Sequence, residues 1–366
     1  MKKYKFFLIT SAFQLIYCSL ISKIKTKESK NYYIVIFHHL NNEFTKNSIL
    51  YLAKKLKIYN VIDLRNEFRD YLIKTSKKIS VFDKFKKENI KIEKVLKEKI
   101  ISQIIHKIPQ HRNMEFYLRN NYGTNEQIFI DAFSDKKFYG FLDGSGDYIN
   151  FVDIKKLQLK ISRYIKFFSL LFKSSRIDNG KILVWKKPKI FIKQKINDKD
   201  NYKKIYKIFK KLNNKFEKKK ISLIILGLPT LEYRERFNLN LKKEANIYND
   251  IINQLTKKFK LKNKYIWFKC HPRLNYDNYK FLKRNINCNF FSYSDFEIAE
   301  LKMKNKSLKY VVSAGSSSLI YGQKVFKKKC IFLDLRNQNI EKNSSERNYL
   351  NFIKFNLEII KTKKEY

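Results

Sequence analysis

Short apolar runs alternate with segments of helical period along this chain, and the series happens twice. Tyr4 to Ile9 reads as a first buried strand and Asn31 to Phe37 as a second, with a helix from near Ala12 between them, capped by Thr10 and Ser11. A helix over about Phe44 to Leu56 and a short strand near Asn60 to Leu64 continue the pattern. Strands joined through helices lie parallel, because each crossover returns the chain to the same end of the sheet. After the charged stretch Asp198 to Lys220 the series restarts at Ile221 to Leu226. It runs on through a helix over Ala245 to Phe259, a strand over Tyr265 to Phe268, a helix near Phe296 to Met303, and strands over Tyr310 to Ser313 and Cys330 to Leu333. An α/β fold is expected, with two Rossmann-like domains facing across a cleft. Residues 1–195 form the first domain and 196–345 the second, with 346–366 a C-terminal helix packing back on the first.

Between the two series, Asp83 to Ile108 reads as a Lys/Glu-rich helix, and Gln127 to Ile130 and Phe138 to Leu142 as strands. Ile154 to Phe172 is a basic, aromatic helical pattern that suits either a membrane surface or a domain edge. The formal charge of +47 is extreme, but its lysines are spread along nearly the whole chain. Diffuse charge makes a solvated surface first, and one that tolerates anionic partners second. Cys18, Cys270, Cys288 and Cys330 show no metal or CxxC spacing, and the five His do not combine with them at ligand spacings, so reduced thiols and no metal are expected. The apolar start, Phe6 to Cys18, is interrupted by Gln14 and lacks a small-residue cleavage site, so it reads as a buried strand and helix and not as a leader. A cytoplasmic protein, peripheral to the inner membrane if its charge is used there, fits these features.

Four stretches carry candidate chemistry. Lys269-Cys270-His271-Pro272-Arg273 follows the apolar run ending at Phe268, where a strand gives way to a loop. Pro272 keeps His271 out of the helical region, so the chain turns there. An imidazole between Lys269 and Arg273 can give a proton to a leaving phosphate oxygen, or it can simply end a strand. Ser313-Ala314-Gly315-Ser316-Ser317-Ser318 joins a strand to an apolar helix from near Leu319; its hydroxyls and helix start make a phosphate seat, although one Ser would suffice for a cap. Asp143-Gly144-Ser145-Gly146-Asp147 offers a carboxylate at a strand end, able to act as general base or merely to turn the chain. In Ser292 to Glu297, Ser294 or Asp295 can cap a helix, with Glu297 in its first turn or holding two ribose hydroxyls.

In this order, the four stretches resemble the bacterial sialyltransferases, in particular the polysialyltransferase and lipooligosaccharide sialyltransferase group, which has a two-Rossmann GT-B fold. That group carries an acidic-acidic-Gly motif, a His-Pro motif and a Ser-Ser/Thr motif. The resemblance implies inverting transfer of sialic acid from CMP-sialic acid to a glycan acceptor, lipid-linked or not, with no metal and no cofactor beyond the donor. It implies Asp143 as base and His271 as the residue that hydrogen-bonds or protonates the departing CMP phosphate. It places Ser316 and Ser317, with Ser318 as the alternative, on that phosphate. Glu297 would hold the ribose, Lys269 and Pro272 would lie beside the nucleotide, and Gly227 would let the cytidine approach the backbone. Where the family has two acids before Gly144, this chain has Leu142 and Asp143, so Asp147 and Asp131 stay open as bases. Rival readings are a GT-B transferase using CMP-Kdo or a UDP-sugar, a transferase fold that only binds, and a nucleic-acid or polyanion binder. The dispersed lysines speak against specific nucleic-acid recognition.

Overall fold

The computed structural model describes residues 3–22, 29–35, 43–68, 87–106, 114–118, 129–130, 132–133, 136–140, 176–178, 181–183, 190–191, 199–212, 216–227, 240–272, 274–314, 316–334 and 358–361. These fall into two compact units. The first holds the described residues of Met1–Asn41, Ala53–Asp143 and Phe151–Asn197; the second holds those of Asn42–Leu52 and Asp198–Tyr366.

The chain begins with β1 (Lys3–Ile9), α1 (Gln14–Ser22), β2 (Ser29–Val35), α2 (Glu43–Lys55), β3 (Val61–Asp63), α3 (Lys87–Ile105), β4 (Met114–Leu118) and β5 (Lys137–Gly140). A small antiparallel pair follows, β6 (Arg176–Asp178) with β7 (Lys181–Leu183), and then β8 (Ile190–Phe191). The first sheet is parallel throughout, in the order β3-β2-β1-β4-β5-β8. In-register side chains of a parallel sheet share a face, and here they make two ring ladders. Tyr32, Phe6, Phe116 and Phe138 stack in sequence on one face at centroid spacings of 5.2, 5.1 and 5.3 Å. Tyr33, Phe7, Tyr117 and Tyr139 do so on the other at 5.3, 4.8 and 5.0 Å. The first face is closed by Leu96, Ile100 and Ile104, which recur every fourth residue on α3.

The start of α1 differs from expectation. Gln14, not Thr10 or Ser11, does the capping: its Oε1 accepts from Thr10 N at 2.7 Å and its Nε2 donates to Thr10 Oγ1 at 2.9 Å. A fully buried Gln in an apolar run is tolerated because its amide is used up on the preceding turn. Two other expectations fail in this unit. Residues 129–130 are helical and not part of a strand, and β4 was not anticipated. The basic stretch 154–172 lies outside the described residues.

The second unit runs α4 (Lys199–Lys211), β9 (Leu223–Leu226), α5 (Leu241–Phe259), β10 (Ile266–Lys269), α6 (Tyr276–Asn285), β11 (Asn289–Phe290), α7 (Ala299–Lys302), β12 (Tyr310–Ser313), α8 (Ser318–Lys324), β13 (Lys329–Asp334) and β14 (Glu358–Lys361). Its sheet is again all parallel, in the order β11-β10-β9-β12-β13-β14. Counting the strands of each sheet in chain order, both read 3-2-1-4-5-6, the doubly wound arrangement of dinucleotide-binding sheets. One face of the second sheet, with Ile225, Phe268, Val312 and Ile331, is covered by the apolar sides of α5 and α6. Asn240 and Asn275 start those two helices, each accepting from the backbone N–H three residues on, at 2.8 Å. The helix expected over 346–366 is corrected at 358–361, which pair with β13 as a strand; the rest of that segment lies outside the described residues. Among the described residues no helix is long and apolar enough to cross a membrane.

Candidate functional site

The second sheet reverses its winding between β9 and β12, and ligands of doubly wound sheets collect beyond the strand ends at such a point. Three loops leave that edge together. Lys269 and Ser313 are both in register with Leu226, so the three strands end in one row. Gly227, the Cys270–Pro272 turn and the Ala314–Ser318 segment therefore begin side by side. Ser313 Oγ donates to Leu226 O at 3.2 Å and Gly227 N to Lys269 O at 3.0 Å, which stitches the three strand ends.

Gly227 is favoured by close approach: a Cβ there would sit 3.0 Å from Cε1 and Cζ of the buried Phe268 ring. The His271 turn is closed by Leu274 N donating to His271 O at 3.0 Å, with Pro272 at the second position, where its fixed φ suits a tight turn. His271 and Pro272 are half-buried. His271 helps line a small pocket with Lys269, Cys270, Tyr279, Phe291, Ser292 and Tyr293. Two phenols tie the walls of that pocket: Tyr279 donates to Phe291 O and Tyr293 to Leu274 O, each at 3.2 Å.

Lys269 does not reach outward. It is buried, and its Nζ donates to Asp295 O at 3.3 Å, fastening β10 to the 292–297 loop. Burial pushes its pKa down to about 8, against the opposing pull of the Asp295 carboxylate. Glu297 is also interior. Its Oε1 accepts from Tyr51 Oη at 2.8 Å, and its Oε2 lies 3.3 Å from Lys302 Nζ. In this arrangement both oxygens are committed within the unit. The helix expected from Phe296 starts only at Ala299, so Glu297 is not in its first turn. Asp295 instead caps a turn, accepting from Glu297 N at 3.3 Å.

The serine cluster divides. Ser316 and Ser317 are half-buried at the start of α8. Ser318 points inward, its hydroxyl donating to Glu300 Oε1 at 2.6 Å. Glu300 is buried there, and burial raises its pKa. Asp143, the alternatives Asp131 and Asp147, Leu142, Arg273 and Gly315 lie outside the described residues. Lys302, Glu300 and Tyr51 were not anticipated as parts of this network. For Lys302 and Glu300 the one sequence signal is charge beside the apolar Leu301 and Met303; Tyr51, far off in the chain, gives none.

The alpha-2,8-polysialyltransferase (POLYST) family model matches residues 5–334. No curated protein matches the chain. Among solved structures, a protein described as a UDP-N-acetylglucosamine 2-epimerase from Listeria monocytogenes superposes with a TM-score of 0.50 at 8% identity, over 99% of this chain and 85% of its own. The GT-B domain of a sialyltransferase from Photobacterium damselae gives 0.49 at 11% identity, over 97% of this chain and 99% of its own. An E. coli heptosyltransferase with ADP gives 0.43 at 9% identity, over 98% and 93%. The fold is α/β of the GT-B type, with two Rossmann-like units. With the family model covering all but the two ends of the chain, this protein belongs to the alpha-2,8-polysialyltransferase family, glycosyltransferases that take a nucleotide-sugar donor and a glycan acceptor.

Proposed function

We propose that the protein moves sialic acid from CMP-sialic acid to a cell-surface glycan, lipooligosaccharide or capsule, in the cytoplasm, with inversion at the anomeric carbon and no metal. The observation that carries this reading is the shared row of Leu226, Lys269 and Ser313, which starts the Gly227, His271 and Ser316–Ser317 segments at one sheet edge within a chain of this family.

Asp143 removes the proton from the acceptor hydroxyl. The hydroxyl oxygen bonds to the anomeric carbon as the bond to the CMP phosphate oxygen breaks. His271 hydrogen-bonds or protonates that oxygen, and the Ser316 and Ser317 hydroxyls hold the phosphate, so charge is met where it develops. The bare backbone at Gly227 admits the cytidine. Lys269 and Glu297 act from beneath, by fixing the loop that walls the His271 pocket. A base on one side of the sugar and an acid at the leaving group is what inversion requires, as in inverting glycosidases.

The test is incubation with CMP-sialic acid and galactose- or sialic acid-ended acceptors, with CMP-Kdo and UDP-sugars as competing donors. CMP release with sialylated product is expected from the wild type. Turnover should fall about 10²- to 10⁴-fold in His271→Ala and in Asp143→Ala. UDP release would overturn the donor assignment. An unchanged rate in Asp143→Ala would move the base to Asp147 or Asp131.

A further inference from the structure

The two edges of the second sheet differ in charge balance. The edge where the strands end mixes Glu244, Asp277, Asp295, Glu297 and Glu300 with Lys242, Lys243, Lys269 and Lys302. At the edge where the six strands begin, four turns lie at 218–220, 257–264, 306–309 and 327–329, and β14 starts with Glu358. Those turns carry twelve exposed lysines and no acid; Glu217, just ahead of the first, is the nearest carboxylate in sequence.

These turns are fixed side by side. Ser222 N donates to Tyr265 O at 2.9 Å, Lys309 N to Ser222 O at 3.0 Å, and Lys329 N to Lys309 O at 2.9 Å. Three of the strand starts are thus laced to the turn before the fourth, at the roughly 4.8 Å spacing of a sheet. Rings brace the lysine stems: Lys220 and Lys264 lie 4.8 and 5.4 Å from the Tyr265 centroid, and Lys258 and Lys329 lie 5.5 and 5.2 Å from that of Phe259. So dense a set of like charges costs self-repulsion. Dispersed lysine content does not predict this local density.

We propose that this lysine edge is a docking surface for an anionic lipid bilayer. The peripheral contact compatible with the overall charge thereby acquires a location, at the opposite end of the sheet from His271. Three features select a bilayer over a nucleic acid. The set is all lysine, hydrated point charges with no guanidinium fork to read a base or grip a phosphate in two places. The aromatic rings lie beneath the ammonium groups, so they offer no open stacking platform. The charges follow a row of strand starts, and clusters of on the order of four to eight basic residues suffice to draw a protein to an acidic leaflet. None of the exposed large apolar side chains, Leu50, Tyr59, Val95, Tyr206 and Tyr276, lies in these turns, so the attraction is electrostatic and without insertion.

The experiment is vesicle flotation with the full chain, without donor or acceptor, so its outcome is independent of the transfer reading. Phosphatidylcholine vesicles containing about one-third phosphatidylglycerol should carry the protein up, and pure phosphatidylcholine should not. High salt should release it. A variant with Lys218, Lys262, Lys306 and Lys327 each changed to Gln, one exposed lysine per turn, should bind about tenfold more weakly, while its thermal midpoint stays that of the wild type. A control with the exposed Lys204, Lys207, Lys280 and Lys283 changed to Gln removes the same charge and should bind within about twofold of the wild type. The proposal is overturned by equal losses in both variants, by equal flotation with neutral vesicles, or by no flotation at all. It is also overturned if the edge variant loses affinity for a soluble polyanion such as heparin while its vesicle binding is unchanged.

Discussion

Lys302 and Glu297 form an ion pair sealed from water: Nζ lies 3.3 Å from Oε2, with the two side chains 0% and 1% exposed. Asp295 pairs with the same ammonium. The rings of Phe216 and Phe291 close over it, with centroids 4.0 and 4.4 Å from Nζ. Desolvating an ammonium and two carboxylates is expensive, so each partner inside the unit matters. The Tyr51 phenol supplies one more, on Glu297 Oε1.

Removing the hub should therefore hurt more than removing the rim. Lys302→Ala strands two buried carboxylates and is expected to cost about 3 to 5 kcal/mol. Tyr51→Phe deletes one hydrogen bond to a charged group and should cost about 1.5 to 3 kcal/mol. Urea unfolding of the three proteins checks the ranking. Equal midpoints for Lys302→Ala and the wild type would show that the pair contributes no stability.

Lys269 gives the second expectation. Its folded pKa, about 8, lies below its ordinary value of 10.5 because burial disfavours the charged form. Between those values the unfolded chain binds the extra proton, so this residue's contribution to stability rises with pH there. The penalty of burying the ammonium is fully present below about pH 8 and is gone above about pH 10.5, on the order of 3 kcal/mol in all. Many tyrosines and lysines titrate in the same window, so the comparison must be with Lys269→Met. The wild type should gain on that variant as pH rises from 8 to 10.5, by chemical denaturation at fixed salt. A difference that stays flat or falls would contradict the burial of the charge.

How far the sequence disclosed this site depends on how local each signal is. The strands ending at Lys269 and Ser313 were legible because their apolar runs are short and bounded by turn residues, and the His271-Pro272 turn follows from proline geometry alone. α6 escaped because its surface is mostly polar and only Tyr279 and Leu282 bury fully. β4 escaped because Glu115 interrupts its apolar run; that carboxylate is buried by accepting from the Tyr117 and Tyr139 hydroxyls at 3.1 and 2.9 Å. Glu297 looked available for a ribose because Tyr51, its partner, lies 246 residues away in the chain. Pairings of that reach leave no periodicity to read.

Gly322 sets two effects against each other. It lies inside α8, where Ala would ordinarily gain about 1 kcal/mol in helix propensity. A Cβ at this position, however, would meet Cys330 Sγ at 2.7 Å and Met303 Sδ at 3.1 Å. The thioether can swing aside; the thiol on the neighbouring strand is buried and short. Overpacking costs about 1 to 3 kcal/mol, so Gly322→Ala should be net destabilising. Adding Cys330→Ala opens the space, and the double variant should recover part of that loss in a double-mutant cycle. Strict additivity would mean that the two positions do not touch.

The serines at the start of α8 should separate by readout. Ser318 donates to Glu300 Oε1 at 2.6 Å inside the unit, and Glu300 is buried. Ser318→Ala leaves that carboxyl without its hydroxyl donor, and the desolvation cost reappears as about 1 to 3 kcal/mol of lost stability. Ser317 sits half-buried, and its side chain makes no capping bond to α8, so Ser317→Ala should leave the unfolding midpoint within about 0.5 kcal/mol. On the proposed reading, a Ser317 hydroxyl that holds the donor phosphate contributes about 1 to 2 kcal/mol to binding, so the donor KM should rise about five- to thirtyfold. Urea denaturation paired with donor-dependent initial rates measures both quantities on the same samples. If Ser318→Ala raised KM with stability intact while Ser317→Ala unfolded early, the inward and outward assignments of the two hydroxyls would have to be exchanged.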